Sequence, residues 1–196
     1  ENDRFDRPIV AVTESDFAEW VTTHIPPEVL LVTWYTTYRD MQFYNEIVYW
    51  QNGGIVASYQ KNQLFPFFDF TPAWAQSIGL YSTSIDAVAA SSTKPIVVNG
   101  FVFGHAICSE IVKPDHIAAS AKGAQILMSI GSEAMFSHEI PGAFNAAKAQ
   151  IYARQYGIPV IRATRTGPSV VYDKEGDIIA EQPYGTSGLL QVSIPI

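Results

Sequence analysis

The stretch that decides the fold runs from Pro95 to Gly123 and reads PIVVNGFVFGHAICSEIVKPDHIAASAKG. It begins with two short apolar, β-branched runs on either side of Asn99-Gly100, a pair that favours a hairpin turn because both positions tolerate positive φ. A helix is expected next, because Pro114 stands in a first turn and Gly123 stands just past the end. Strand, turn, strand and helix in this order predict an α/β fold.

The same pattern divides the rest of the chain into many short strands and few helices. Asn52-Gly53-Gly54 and the residues 174–177 predict two further hairpin turns. No repeat, linker or change of composition separates one part from another, so we expect a single domain over residues 1–196. The predicted strands are Pro8–Thr13, Val29–Tyr35, Phe43–Trp50, Ile55–Gln60, Pro95–Val98, Phe101–Ile107, Gln125–Ile130, Pro159–Ala163, Ser169–Tyr172, Ile178–Glu181 and Gly188–Val192, and the predicted helices are Asp16–His24, Pro114–Lys122 and Ile140–Tyr156.

Composition and charge exclude several classes of protein. The chain is 47% apolar and only 16% charged, which is ample for a packed core and argues against disorder. Its net charge is −7 and its 12 basic residues are scattered, so we expect no binding to nucleic acid. No apolar run reaches the roughly 18 residues that a transmembrane helix needs.

The sequence contains one cysteine, Cys108. A single cysteine excludes an internal disulfide and any multi-cysteine metal site, and the four histidines share no metal-ligand spacing. We therefore expect no metal and no other cofactor. Because a lone cysteine in an apolar strand is by itself most often a small buried hydrophobe, its surroundings must decide whether it is reactive.

Three chemically useful side chains stand where predicted strands end. Glu14, Lys61 and Cys108 each follow the last residue of such a strand, and reactive groups of α/β folds gather at the carboxyl ends of strands. A carboxylate can take the proton of a thiol, and an ammonium group can stabilise an oxyanion together with a backbone N–H, here that of Ser109. This set of groups suits nucleophilic acyl chemistry.

The residues around Lys61 and Cys108 resemble two motifs of a known family. Residues 59–72 read YQKNQLFPFFDFTP and residues 104–111 read GHAICSEI. They are similar to motifs of the nitrilase (carbon–nitrogen hydrolase) superfamily, above all to its apolipoprotein N-acyltransferase branch, which reads Tyr-x-Lys-x-x-Leu-x-Pro-Phe-Gly-Glu-x-x-Pro and Ile-Cys-Tyr-Glu. Residues 158–169 are similar to the Arg-Pro-x-x-Arg-Ala-x-x-x-Gly-x-Ser run of that branch, and the segment before Glu14 looks like the one that carries the family's general base.

The resemblance implies a four-layer αββα sandwich, with two mixed sheets flanked by helices. In that fold the strand before Glu14 is the second, so we expect the chain to lack the first strand and helix of the family. We also expect it to lack the membrane-spanning part of the acyltransferase branch, so that membrane association would come only through segments outside this chain. The chain is interpreted as a divergent relative or a trimmed piece.

Residue by residue, the resemblance implies that Glu14 is the general base, Lys61 the oxyanion stabiliser and Cys108 the nucleophile. It makes Asp69 a supporting residue that orients the lysine, and Glu110 matches the Glu two residues after the family's cysteine. Asp69 stands where the branch has Glu, which shortens its reach by a methylene.

Other positions depart from the branch. Ser109 replaces a Tyr and Met135 replaces a Trp, while Thr13, Gln155 and Ile158 replace a Pro, a Glu and an Arg. The supporting residues have therefore drifted while the three reactive groups are kept.

An aromatic segment follows Lys61. Phe65 and Phe68 in this segment, together with Met135, are candidate residues of an apolar pocket for an acyl chain; core packing is the alternative interpretation. His105 stands three residues before Cys108, a spacing that puts the two side chains on opposite faces of a strand and argues against a Cys–His dyad. His116 is expected at the surface.

Three hypotheses about function follow. The first is acyl transfer through a thioester, which in the resembled branch moves an acyl group from a phospholipid to the N-terminal amine of a lipidated cysteine, at the periplasmic face of the bacterial inner membrane. The second is a cytoplasmic amidase of the same superfamily, with water as the acceptor. The third is a catalytically silent binding or scaffold domain. Partners are thus a small-molecule or lipid acyl donor and a lipoprotein N-terminus, and each hypothesis is compatible with a homo-oligomer.

Overall fold

A computed structural model describes residues 14–39, 42–80 and 86–196 of the chain. In these ranges the chain forms nine strands, four α-helices and one short 3₁₀ helix. The 3₁₀ helix Cys108–Val112, here called the cysteine turn, directly follows a strand. The strands are β1 (Leu31–Arg39), β2 (Gln42–Gln51), β3 (Gly54–Gln60), β4 (Ile96–Val98), β5 (Phe101–Ile107), β6 (Ile126–Ser132), β7 (Val160–Arg165), β8 (Ser169–Tyr172) and β9 (Ile178–Gln182), and the helices are α1 (Glu14–His24), α2 (Ala73–Ser77), α3 (Pro114–Ala121) and α4 (Ile140–Tyr156).

The first three strands form an antiparallel sheet in the order β1-β2-β3. Asn52 and Gly53 make the turn between β2 and β3 with φ angles of 51° and 79°, and two consecutive positive φ values match the twist of a hairpin. Helix α1 covers the outer face of this sheet, because Phe17 stacks on Tyr35 with ring centroids 5.4 Å apart and meets Trp50 edge-on.

The other six strands form a mixed sheet in the order β4-β5-β6-β7-β8-β9. The central strands β5, β6 and β7 are parallel, and the outer pairings are antiparallel. Parallel neighbours end at the same edge of a sheet, which is where α/β folds place their ligands. The cysteine turn and the segments after β6 and β7 therefore leave the sheet close together.

Two apolar layers hold the sheets and helices together. Between the sheets, Ile47, Tyr49 and Tyr59 of the three-stranded sheet pack with Phe103 and Ile107 of β5. Helices α3 and α4 cover the other face of the six-stranded sheet, and the alanine-rich face of α4 packs on it as small side chains allow. This second layer includes Ala106, Ile117, Leu127, Ala146, Ala149, Ala153 and Val160.

The predicted four-layer sandwich is confirmed, with the order helix, sheet, sheet, helix. The three hairpin turns and the three helices are confirmed too, with ends that differ by a few residues. The three-stranded sheet is antiparallel in every described pairing, so only the larger sheet is mixed. The predicted strand Pro8–Thr13 lies outside the described residues.

One predicted strand is wrong. The segment Gly188–Val192 has no regular secondary structure, and Leu189 within it is 91% exposed. Its apolar residues resemble those of a short strand, but a strand needs a neighbour that takes its backbone hydrogen bonds. None of the described strands forms a ladder with this segment.

Candidate active site

Cys108 is the first residue of the cysteine turn, immediately after β5. Its φ is +50°, a left-handed conformation that costs an L-residue about 1–3 kcal/mol and persists only where the surroundings impose it. Strand β6 provides part of these surroundings, since a Cβ on Gly131 would lie 3.0 Å from Cys108 Cα and 3.4 Å from its Cβ. Because Gly131 has no side chain, the backbone of β6 can pack directly against the cysteine turn.

Glu110, which is fully buried, ties the cysteine turn to the end of β3. Its Oε2 accepts the backbone N–H of Ile107 at 2.8 Å, and its Oε1 accepts those of Asn62 and Gln63 at 2.7 and 2.9 Å. The Tyr59 hydroxyl donates to both oxygens, at 3.0 and 3.1 Å. Hydrogen bonds to a buried charge are strong, so the cysteine turn and the segment after β3 are held as one unit.

Lys61 is the first residue after β3 and is 3% exposed. Its Nζ donates to Asp69 Oδ2 at 2.5 Å. Asp69 also accepts the backbone N–H of Phe65 at 2.7 Å and the side-chain amide of Asn45 at 2.9 Å. The structure thus brings Lys61 and Asp69 together, as the role predicted for Asp69 requires, even though its side chain is a methylene shorter than Glu.

The Cys108 thiol lies in an environment with charges of both signs. Burial raises the pKa of the thiol above its ordinary value. The Lys61 ammonium lowers that pKa, whereas the carboxylates of Glu133 and Asp69 raise it, and a hydrogen bond from the Ser109 backbone lowers it. The net direction is upward, so the thiol is protonated at neutral pH and needs a base to react.

A buried ion pair joins β7 to the segment after β6, and sequence reasoning missed it. Arg162 Nη2 donates to Glu133 Oε1, and the side chains are only 1% and 4% exposed. Asn145 of α4 donates to the same oxygen at 3.2 Å, and Arg162 Nη1 donates to Ser129 Oγ at 3.1 Å. A charged residue inside an apolar strand was the available signal, because such a residue must find a partner.

The two histidines near Cys108 serve the packing between the sheets. His105 is fully buried and bonded to the Tyr49 hydroxyl at 2.8 Å. Burial, helped by the nearby His116, lowers the pKa of His105 to about 3, so this ring is a weak base, and its hydrogen-bond partner is Tyr49 and not Cys108.

The predicted surface position of His116 is wrong. Helix α3 turns this residue toward β5, where its Nε2 donates to the carbonyl oxygen of His105 at 3.0 Å and lies 3.6 Å from Glu110 Oε2. The side chain is fully buried.

The remaining predicted site residues have different outcomes. Glu14 is the first residue of α1, and its side chain lies outside the described part of the chain, so its role as a base stays a prediction. Phe65 and Phe68 are 37% and 51% exposed with ring centroids 5.3 Å apart, and Met135 is 44% exposed. These side chains are at the surface and not in the core. Phe67 and Trp74, 41% and 60% exposed, extend the apolar segment.

No helix in the described ranges is long and apolar enough to cross a bilayer. Within the same ranges, no three His, Cys, Asp or Glu side chains are grouped as a metal ion would require.

Comparison with known proteins points to one family. The model of the carbon-nitrogen hydrolase family matches residues 15–196. The apolipoprotein N-acyltransferase of Agrobacterium fabrum is 31% identical over 167 residues, which are 80% of this chain and 31% of that protein. The chain thus spans about a third of the length of the curated relatives that it matches.

Solved structures share the fold at lower identity. A carbon-nitrogen hydrolase from Helicobacter pylori G27 has a TM-score of 0.65 and 19% identity, over 86% of this chain and 62% of that one. A mutant amidase from Nesterenkonia sp. AN1, with the acetamide moiety of fluoroacetamide added at its active-site cysteine, has a TM-score of 0.58 and 21% identity, over 80% of this chain and 57% of that one.

Proposed function

The chain belongs to the carbon–nitrogen hydrolase family, and from this premise we propose that it transfers an acyl group through a thioester on Cys108. The observation that carries the proposal is the arrangement of the thiol and the lysine. The Cys108 thiol is partly buried at a left-handed turn. The charge of Lys61 lowers its pKa, and the Lys61 ammonium donates to Asp69 at 2.5 Å. Glu110 joins the segments that bear the two groups.

The first half of the proposed reaction forms the acyl-enzyme. The Glu14 carboxylate takes the thiol proton, and the sulfur of Cys108 attacks the carbonyl carbon of an ester. The ester C–O bond breaks and Glu14 returns the proton to the leaving alkoxide. Lys61 and the Ser109 backbone N–H stabilise the oxyanion between these steps.

The second half regenerates the thiol. The nitrogen of an amine attacks the thioester carbonyl, the C–S bond breaks and an amide is released. Glu14 takes a proton from the amine and passes it to the departing sulfur. No electrons change hands, so the cycle needs no redox partner.

The apolar surface beside Lys61 supports a lipid as the acyl donor. Phe65, Phe67, Phe68 and Trp74 follow the lysine within one segment and are each 37% to 60% exposed. Exposed apolar groups next to a reactive site mark a contact with an apolar ligand. With the N-acyltransferase relatives, this favours a phospholipid donor and the N-terminal amine of a lipidated cysteine as acceptor, at the periplasmic face of the inner membrane.

Amide hydrolysis is the second candidate. It is favoured by Met135, which is 44% exposed where the acyltransferase branch carries a Trp, and by the amidase of the same fold whose active-site cysteine carries an acetamide moiety. In this case the leaving group is ammonia and water attacks the thioester.

The test is to trap the acyl group. The chain is incubated with a phospholipid that carries a fluorescent fatty acyl chain, and we expect the label on Cys108 as a hydroxylamine-sensitive thioester. Cys108→Ala should take up no label, and Glu14→Gln should take it up at least about 100-fold more slowly.

The same experiment separates the alternatives. If the parent takes up no label but releases ammonia from simple amides, the result would favour the amidase. The absence of both products, thioester and ammonia, would contradict both enzymatic functions.

A further inference from the structure

The Glu133–Arg162 pair lies on the same face of the six-stranded sheet as the main chain of Cys108. Along β6 and its extension, Ser129, Gly131 and Glu133 are spaced by two, so they share the face that α4 covers. Gly131 is the residue that contacts the main chain of Cys108. Arg162 is in register with Ser129 and bonded to it, which places the guanidinium on that face too.

The pair is buried and incompletely bonded. Glu133 Oε1 holds Arg162 and Asn145, but Glu133 Oε2 and Arg162 Nε are buried and have no hydrogen-bond partner among the residues that the structure describes. Burial lowers the pKa of Arg162, and Glu133 opposes that change. Because a buried ion pair of this kind is seldom more stabilising than apolar residues of similar volume, stability does not account for it.

The pair is coupled by charge to the thiol. The charged groups that act on the thiol or are acted on by it are Lys61 after β3, Asp69 before α2, Glu133 after β6 and Arg162 on β7. The buried Glu110 of the cysteine turn and the proposed base Glu14, the first residue of α1, are further ionisable groups. Each cation beside the thiol therefore has its own carboxylate.

We propose that Glu133 is a positioning residue that cancels the charge of Arg162 beneath Cys108, so that the thiol keeps its proton until the base takes it. This inference deepens the proposed function and rests on it for the use of that proton. In acylation, the proton taken from the thiol is the one that Glu14 gives to the leaving alkoxide. A resting thiolate would leave Glu14 without a proton, and the alkoxide would depart unprotonated.

The test is a two-residue cycle read by alkylation. Cys108 is the only cysteine, so the rate of iodoacetamide labelling against pH gives the midpoint of its ionisation. In Glu133→Gln the unopposed guanidinium should lower the midpoint by about 1 pH unit, and in Arg162→Met the unopposed carboxylate should raise it by a similar amount. The double variant should return close to the parent.

Two controls keep the test decisive. Glu46 is a buried carboxylate paired with Arg39 at 2.5 Å in the three-stranded sheet, so Glu46→Gln should leave the midpoint unchanged. If Glu133→Gln does not fold, Glu133→Asp replaces it: the shorter carboxylate withdraws from Arg162, and the midpoint should fall by a smaller amount.

The inference is overturned if the folded variants of Glu133 and Arg162 keep the parent's midpoint, or if both single variants move it in the same direction. Alkylation requires no acyl donor. The result therefore stands whether or not Cys108 transfers acyl groups, and failure of the proposed function would be seen only in the thioester experiment.

Discussion

Two buried ion pairs flank Cys108, and they differ in how their carboxylates are held. In the Lys61–Asp69 pair both carboxylate oxygens are bonded: Oδ2 accepts from Lys61 Nζ and the Phe65 N–H, and Oδ1 accepts from Asn45. A carboxylate bonded at both oxygens cannot turn. The ammonium group is therefore held in one place. A donor that stabilises an oxyanion needs to be held in this way.

The Glu133–Arg162 pair is held at one carboxylate oxygen only. Oε1 accepts from Arg162 and Asn145, while Oε2 has no hydrogen-bond partner in the described residues. This arrangement places a negative charge beside Arg162, but it does not fix the orientation of the carboxylate as hydrogen bonds to both oxygens would. The comparison indicates that the first pair contributes geometry to the site and the second contributes charge.

The strongest test of this comparison removes the lysine. Lys61→Met should slow acylation of Cys108 by about 10²–10³, the loss typical of one oxyanion donor. It should also raise the midpoint of alkylation, because the Lys61 charge lowers the pKa of the thiol. Both are measured on the same preparation, with fluorescent phospholipid and with iodoacetamide.

The matched control for this prediction is Lys174→Met, since Lys174 is 62% exposed at the β8–β9 turn. Lys174→Met should change neither the acylation rate nor the midpoint of alkylation. If Lys61→Met acylates Cys108 within a factor of about 3 of the parent's rate, another donor must stabilise the oxyanion.

The first pair could be predicted from the sequence and the second could not. Lys61 and Asp69 are eight residues apart within one motif, and the resemblance of that motif to the family implied that Asp69 orients the lysine. Glu133 and Arg162 are 29 residues apart, and only the parallel alignment of β6 with β7 brings them together. Both residues were visible as charges next to apolar strands, yet nothing local identifies which charge meets which.

The same limit applies to the fold. Hairpin turns such as Asn52-Gly53 and the helix that begins after Lys113 were predictable, because glycine and proline act on their own neighbourhood. The wrong strand at Gly188–Val192 and the buried position of His116 depend on what lies opposite in space. The side-chain position of Glu14 is the part of the predicted site that stays a prediction.

A smaller effect is expected when a methyl group is added next to the Glu133–Arg162 pair. A Cβ on Gly167 would overlap Glu133 Oε2 and lie 2.8 Å from its Cδ, so Gly167→Ala must displace the carboxylate. We expect a loss of about 1–3 kcal/mol in the free energy of unfolding, as for other overpacked sites. The alkylation midpoint should fall as well, since the displaced charge opposes Arg162 less.

Gly54→Ala is the matched control, because a Cβ there meets nothing within 4 Å. Urea unfolding of both variants measures the difference. Equal stability of the two would mean that the Glu133 carboxylate moves aside freely, so that its Oε1 hydrogen bonds do not hold it in place.

The most discriminating effect comes from the two amides that hold the carboxylates. Asn45 donates to Asp69 at 2.9 Å and Asn145 donates to Glu133 at 3.2 Å. Replacing either by Ala should cost about 1.5–3 kcal/mol of stability at most, the range for a hydrogen bond to a charged group. The two variants should nevertheless differ in function. Asn45→Ala frees one Asp69 oxygen, so the ammonium is less well fixed and acylation should slow by about tenfold, or 1.4 kcal/mol.

Asn145→Ala removes a neutral donor from a carboxylate that keeps its charge and its guanidinium. Its acylation rate and alkylation midpoint should both stay at the parent's values, because a pair that acts through charge does not depend on the direction of one amide. Acylation that slows equally in the two variants would show that the second pair also orients a group at Cys108, and the distinction between geometry and charge would no longer hold.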